Sequence, residues 1–500
     1  MASRYILVLC QRSTFVQAVI YDRNGTVIAQ VRGKFSQLSP KPGWVEYDPI
    51  EIWSTQIAAA GEALEKANLQ AGKIIAMGIT NQRDTTIVWD KKSGEPLYNA
   101  ISSSCRRTTS LCKKLQEQGL AEQIGEKTGL GIETGFSAPK IAWILDNVPG
   151  VREKAQKGEA LFGTIDSWLI WKITGKKVHA IDYTNAARTM IFNINNLSWD
   201  EELLRLFNIP HGMLPQVYPS SFDYGLTTRA MLGEEIPITA AIGDQQALLF
   251  GQACFAPGFG QASYNHSINI MVNAGEQIPQ AAPGLLSTVA YGAEGQVKYA
   301  LEGRINGGCL ALKWLQDDLR LLANNKQAEE YAQKVADTGG VYLVPAFTGL
   351  DLPYGDPNAR GIIVGINRTT KREHLVRAAL EAIAFQTRDL VEAIIRDGGI
   401  KVKGLRLAGE VVAGSFLPGY MADILGIPMQ RSRNIDPGAL GAAYLSGLTV
   451  GFWKSMQEIA ATWKADAEFK PRVGYSERED RYKDWQRAVE RSRDWYTEKK

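Results

Sequence analysis

A strand pair closed by a tight turn, followed by a helix and a further strand, is written into both halves of this chain. That repeated grammar restricts the fold more than any other feature. Tyr5-Ile-Leu-Val-Leu9 is an apolar run suited to a buried strand, and Phe15 to Tyr21 is a second. Asp22-Arg23-Asn24-Gly25 turns the chain into Thr26-Val-Ile-Ala-Gln30, because Asn-Gly supplies the positive φ of a tight reversal. Asp48-Pro49 then opens a helix over 50–67, with Trp53, Ile57, Ala60 and Leu64 at helical spacing. Ile74 to Thr80 reads as the next strand and Thr85 to Trp89 as its return. In the second half Tyr264 to Val272, Gly340 to Pro345 and Gly404 to Ala408 read as strands, with helices over 371–397 and 439–450. Such alternation predicts two α/β domains of similar plan with mixed sheets. Their boundary falls near Phe250, giving residues 1–250 and 251–500. From Ser476 the chain is highly charged, and Tyr482, Trp485, Val489 and Trp495 share one helix face, which predicts a docked surface helix.

Five hundred residues exceed what one core serves, in keeping with two domains. Lys and Arg number 56 against 53 Asp and Glu, too even a balance for a nucleic-acid or anionic-membrane partner. Cys10, Cys105, Cys112, Cys254 and Cys309 are odd in number and lack CxxC spacing. A reducing, cytoplasmic setting is expected, without disulfides or structural zinc. No apolar stretch reaches the length of a membrane span, and the run at 5–9 is too short for a signal-peptide core. No short tandem repeat points to a solenoid.

Several segments resemble the glycerol kinases of the FGGY carbohydrate-kinase family. They are Gly43-Trp-Val-Glu46, Gly78-Ile-Thr-Asn-Gln-Arg83, Thr164-Ile-Asp-Ser-Trp-Leu-Ile-Trp171, Gly243-Asp-Gln-Gln246, Pro345-Ala-Phe-Thr-Gly-Leu350, Asp356-Pro-Asn-Ala-Arg-Gly361 and Leu440-Gly-Ala-Ala-Tyr444. They run in order from about residue 5 to the last helix. The resemblance implies two actin-like ATPase (RNase H-like) domains with a cleft between them, ATP mainly on the second and the polyol mainly on the first. It further implies Arg83, Asp84, Asp244 and Gln245 on the polyol, with Asp244 as general base. Ser13, Thr14 and Gly409 are implied on the nucleotide. Read from the residues alone, Asp244 is equally an N-cap for a helix starting at Gln245.

The sequence departs from that family at several cleft positions. The family's first turn, Asp-Gln-Gly-Thr-Thr, is Cys10-Gln-Arg-Ser-Thr14 here. Cys10 is a poor ligand for a hard cation, and Arg12 brings a long side chain where glycine allows close approach to phosphates. Gln17 stands for a family Arg. In the second turn, Tyr264-Asn-His-Ser-Ile-Asn269, His266 and Asn269 replace turn and pocket residues. Cys309 and Lys313 replace a Gly and a Gln, and Glu410 and Ser415 alter the adenine loop. In the polyol pocket Ser103, Cys105 and Gly135 stand where the family has larger or acidic groups, and Asp84 stands for a Glu. Gly233-Glu-Glu235, at a loop that binds a sugar bisphosphate in some members, disfavours an anion.

Loss of one transition-state donor commonly costs about a hundred- to a thousand-fold in rate. The accumulated changes therefore predict a catalytically dead pseudoenzyme with a binding or structural role, as a dimer or an assembly subunit, without ATP or Mg²⁺. The alternative is an active ATP-dependent phosphotransferase acting on glycerol or another small polyol, using Mg-ATP. An enzyme of another reaction class in the same cleft is a third reading, for which no complete triad or metal set is present. Cys10 and Cys105, neighbours by the resemblance, suggest redox or metal chemistry or, more simply, two small buried residues.

Overall fold

The computed structural model describes residues 4–434 and 436–497. In the N-terminal half, β1 (Tyr5–Gln11) is buried along nearly its whole length and pairs on both edges, as expected of an apolar run without alternation. It pairs antiparallel with β2 (Phe15–Tyr21), which pairs antiparallel with β3 (Val27–Lys34). On its other edge it runs parallel to β4 (Ile74–Asn81), which runs parallel to β5 (Ile238–Gly243). The sheet order is thus β5-β4-β1-β2-β3. Helix α1 (Pro49–Lys66) covers β2 and β3; it starts where Asp48 accepts the amide of Ile50 and Pro49 occupies the first turn.

The C-terminal half repeats this plan. β6 (Phe259–Tyr264) pairs antiparallel with β7 (Ile268–Gly275), and beyond it lie β8 (Leu286–Ala293) and β9 (Gln296–Ile305). On the other edge β6 runs parallel to β10 (Gly404–Ala408), followed by β11 (Met429–Ser432) and β12 (Ala465–Phe469). The order is β8-β9-β7-β6-β10-β11-β12. Two antiparallel neighbours on one side of the founding strand and two parallel ones on the other make the same core as the first sheet. The expected pair of mixed-sheet α/β units of actin-like type is therefore present.

Two expected strands differ. The segment 264–272 is the end of β6, a turn at 265–267 and the start of β7. The run 85–89 does not return along β4, whose two edges are already taken by β1 and β5. Asp84, at φ +71°, turns the chain away, and Ile87–Asp90 pairs with Ala160–Gly163 instead.

Two helices set how the halves meet: α2 (Asp244–Gly251), and α5, named after α3 (Leu310–Asp317) and α4 (Arg372–Gly398), which spans Pro437–Thr449. Although α5 follows β11 in the second sheet, it packs on α2 and on β1, β4 and β5 of the first. Glycines permit this crossing: a Cβ on Gly251 would lie 1.7 Å from the Pro437 carbonyl, and one on Gly441 would lie 1.9 Å from that of Ala247. The last helix, α6 (Tyr475–Glu490), buries Tyr482, Trp485 and Val489. Its Tyr482 hydroxyl and Trp485 indole donate to Asp389 of α4 at 2.5 and 3.0 Å, and the Tyr354 hydroxyl donates at 3.1 Å. Burial pushes the Asp389 carboxyl up to about 7 against those three donors. Trp495 lies beyond the helix end and is 68% exposed, so it does not share that face. No helix among the described residues is long and apolar enough to cross a membrane.

The crossing yields a contrast. Gly441→Ala should destabilise the protein by about 1–3 kcal/mol by overpacking the crossing. Gly61→Ala, in the interior of α1 with nothing within 4 Å of the added methyl, should stabilise it by about 0.5–1 kcal/mol. Urea denaturation of both variants is the check; equal midpoints would contradict the packing described.

Candidate active site

Because both sheets are built from the same hairpin-first plan, their first turns face each other, and a cleft of about 1370 Å³ lies between them. Its N-terminal wall carries Arg12, Ser13 and Thr14 on the β1–β2 turn, Arg83 and Asp84 after β4, Ser103, and Asp244 and Gln245 at the start of α2. Its C-terminal wall carries His266 and Asn269 of the β6–β7 hairpin, Cys309 and Lys313 at α3, and Gly409 and Glu410 after β10.

At the centre is a chain of charges. The Arg83 guanidinium donates to both oxygens of Glu302 on β9, at 2.6 and 2.7 Å. Its Nε lies 3.4 Å from Asp244 Oδ1. Arg188 donates through Nη1 to Glu302 at 3.1 Å and through Nε to Asp84 Oδ1 at 3.1 Å. Three carboxylates and two guanidiniums thus link the walls. The arginines hold the Glu302 carboxyl down at about 2, although burial alone would raise it. Asp244 goes the other way: burial raises its carboxyl more than Arg83 and Arg12 lower it. Asp244 is the first residue of α2, whose N-cap is Gly243, and no side-chain cap bond forms there. The helix thus begins one residue earlier than the sequence suggests, and Asp244 lies within its first turn with the Gln245 amide against its carboxylate. Gln245 Oε1 accepts from Gln261 at 3.1 Å and Ser263 at 3.3 Å.

Behind Asp84, buried Lys140 donates to the carbonyls of Asp84 and Gly135, each at 2.6 Å. Desolvation lowers its ammonium to about 7. These bonds fix the left-handed backbone at Asp84. On the opposite wall Gly409 has φ +112°, and a Cβ there would lie 2.2 Å from the Tyr264 carbonyl, so the strand end tolerates glycine alone.

Several sequence candidates lie elsewhere. Cys10 is fully buried on β1 in the core between sheet and α5, and burial pushes its thiol well above the ordinary range. Cys105 is buried in a different cluster, where its sulfur accepts from Arg107 at 3.1 Å. Neither cysteine lines the cleft and they share no core, which removes the redox or metal pairing. β-strand alternation explains Cys10: its side chain shares with Ile6 and Val8 the face of β1 that packs against α5. Gly135 lies behind the wall as an acceptor for Lys140. Ser415 donates its amide to Glu329 at 3.1 Å, away from the cleft. Gln17 is buried, donating to Asp436 at 2.8 Å and accepting from Arg32 at 2.9 Å. Sequence reasoning missed Glu302, Arg188, Lys140 and Asp436. A carboxylate inside the apolar strand 297–305 was a signal for Glu302, and Asp436-Pro437 is a helix-start signature. Arg188 and Lys140 had none.

Residues 5–251 match the FGGY family of carbohydrate kinases, N-terminal domain, and residues 263–450 match its C-terminal domain. The chain belongs to the FGGY family of carbohydrate kinases. It is 53% identical over 492 residues to glycerol kinase 2 of Thermotoga maritima, covering 98% of this chain and 99% of that one. It is 52% identical over 496 residues to the glycerol kinase of Thermoanaerobacter pseudethanolicus, covering 99% and 100%. Among solved structures, Plasmodium falciparum glycerol kinase with ADP superimposes with a TM-score of 0.93 at 34% identity, over 98% of both chains.

These relatives overturn the expected pseudoenzyme with a binding or structural role, since chains sharing half their residues with this one from end to end are glycerol kinases. The geometry removes part of the physical case as well. Cys10 does not enter the cleft, Arg12 is drawn onto Asp436, and the space between the walls stays open.

The charge chain has a pH signature. Glu302 is ionised in the folded protein down to about pH 2, against about 4.5 for an ordinary glutamate. Its stabilisation is complete above pH 4.5 and is lost as pH falls through 2. Glu302→Gln should cost about 3–5 kcal/mol at pH 7 by stranding two buried guanidiniums, and the gap to the parent should narrow steadily towards pH 2. A gap independent of pH would contradict the ionised pairing.

Proposed function

We propose that this chain is an ATP-dependent phosphotransferase that moves the γ-phosphoryl group of ATP to a hydroxyl of glycerol. The observation that carries the reading is Asp244 at the base of the cleft, beside Arg83, between the two turns that face each other. The named activities of the full-length relatives support the same assignment.

In this reading glycerol lies against Arg83, Asp84, Asp244 and Gln245. Asp84 Oδ1 is occupied by Arg188; its other oxygen takes no donor among the described residues and accepts a glycerol hydroxyl. Arg83, fixed in two-point contact with Glu302, keeps its Nε edge towards Asp244 and so orients the carboxylate. Asp244 accepts the proton of the attacking hydroxyl as its oxygen bonds to the γ-phosphorus. Its raised basicity relative to an ordinary aspartate suits that task. ADP leaves with the electron pair of the broken phosphoanhydride bond. Ser13 and Thr14, exposed on the β1–β2 turn, donate to phosphate oxygens, and the glycine at 409 lets the nucleotide lie against the backbone after β10.

No group of three or more His, Cys, Asp or Glu side chains among the described residues forms a metal cluster. The cleft fits a divalent ion carried by the substrate, because Mg²⁺ on a polyphosphate asks the protein for only one or two carboxylates, and Asp244 and Asp436 both line the cleft. That ion supplies charge neutralisation on the phosphates. Ser103 on one wall and Asn269 on the other present small polar side chains to the cleft, which favours polyols somewhat larger than glycerol as second substrates.

Asp244→Asn should lower kcat for glycerol phosphorylation about 10²- to 10⁴-fold while the Kd for Mg-ATP changes little. Steady-state kinetics with calorimetry on the same samples is the test. Unchanged turnover would refute the assigned base.

A further inference from the structure

Arg12 is joined to the rest of the protein in an unbalanced way. Its amide closes the β1–β2 turn by donating to the Phe15 carbonyl at 2.9 Å, and its side chain lines the cleft. The guanidinium has five N–H donors. One of them is used among the described residues, from Nη2 to Asp436 Oδ1 at 3.0 Å. Asp436 is better supplied. Its Oδ2 accepts from Gln17 at 2.8 Å, and its Oδ1 also accepts the amide of Ala439 in the first turn of α5 at 3.1 Å. Those two bonds and the positive end of a thirteen-residue helix satisfy the carboxylate without Arg12. The contact keeps a solvent-facing side: the two side chains are 21% and 24% exposed. A Cβ on Gly438 would lie 3.2 Å from Arg12 Nη2, so glycine at 438 is what leaves the guanidinium room against the α5 backbone.

The pair spans the two halves, since the turn belongs to the first sheet and Asp436 follows β11 of the second. It sits beside Ser13 and Thr14, on the turn assigned above to phosphate. We propose that Arg12 is a phosphate-binding arm latched on Asp436, and that a nucleoside triphosphate draws the guanidinium from Asp436 onto its terminal phosphate oxygens. This rests on the phosphotransferase reading and adds to it a residue and a conformational step. An arginine suits the role because its planar fork meets phosphate oxygens two at a time. Asp436 gives up its ion-pair partner in this step but keeps the hydrogen bonds from Gln17 and from the Ala439 amide of α5. The latch also sets an order: the halves are bridged at Arg12 before nucleotide enters and at the phosphates afterwards.

The test is calorimetric titration of the full chain with inorganic tripolyphosphate, and separately with adenosine, using Arg12→Ala, Arg12→Lys and Asp436→Asn. Arg12→Ala should weaken tripolyphosphate about 10- to 100-fold, the range for losing charge-assisted hydrogen bonds, with adenosine binding unchanged. Arg12→Lys should recover part of the loss as a point charge. Asp436→Asn should tighten tripolyphosphate several-fold by removing the competing carboxylate. Tripolyphosphate binding that is unchanged or tighter in Arg12→Ala would overturn the proposal and make Arg12 a residue that occupies phosphate space. Should Arg12→Ala fail to fold, Asp436→Asn decides alone: tightening supports the latch and weakening overturns it. Phosphoryl transfer is read independently on the parent chain. Arg12-dependent tripolyphosphate binding without glycerol phosphorylation would refute the phosphotransferase reading and leave the latch standing.

Discussion

The structure depends on one buried carboxylate. Glu302 receives two arginines, Arg83 after β4 of the first sheet and Arg188 from the long connection between β4 and β5, while itself belonging to β9 of the second sheet. Burying any one of these charges alone would be prohibitive, so each is tolerable only with its partners in place. The cluster therefore ties the position of one wall of the cleft to the other. It also fixes Arg83 against Asp244 and Arg188 against Asp84, so the two acidic groups assigned to the substrate inherit their positions from a residue that need not touch it.

Around that cluster the chain solves a packing problem with glycine. The two halves have to approach closely enough for a sheet-bound glutamate to meet arginines of the other half. The α2–α5 crossing achieves this because Gly251 and Gly441 let backbone lie on backbone. The same crossing places the N-terminus of α5, with Asp436, under the β1–β2 turn. Cleft geometry and helix packing are thus one arrangement.

Much of the fold was legible in sequence because it rests on local rules. Apolar runs gave β1, β2, β4 and β10, Asp48-Pro49 opened α1, and the spacing of Tyr482, Trp485 and Val489 marked the buried face of α6. The misreadings came where tertiary competition decides: the segment after Asp84 left β4 because neighbouring strands had already filled its edges. The site was legible in parts. Arg83, Asp84, Asp244 and Gln245 do converge on the cleft, but their organiser, Glu302, lies more than two hundred residues from Arg83, and no local pattern encodes that contact. Cys10 shows the converse error. Substitution at a turn was read as a change in the cleft, whereas strand alternation turns that side chain into the core. Counting altered positions could not substitute for knowing which side chains face the ligand, and the expectation of an inert protein followed from that count.

The central claim is that this cleft joins a phosphoryl group to glycerol. Phosphorus NMR of the purified chain with Mg-ATP and glycerol addresses it directly, because it identifies both products in one spectrum. The account predicts equal growth of ADP and of a glycerol phosphate monoester resonance, with both absent when glycerol is withheld. ATP left intact by a folded sample, or converted to ADP and inorganic phosphate alone, would contradict it.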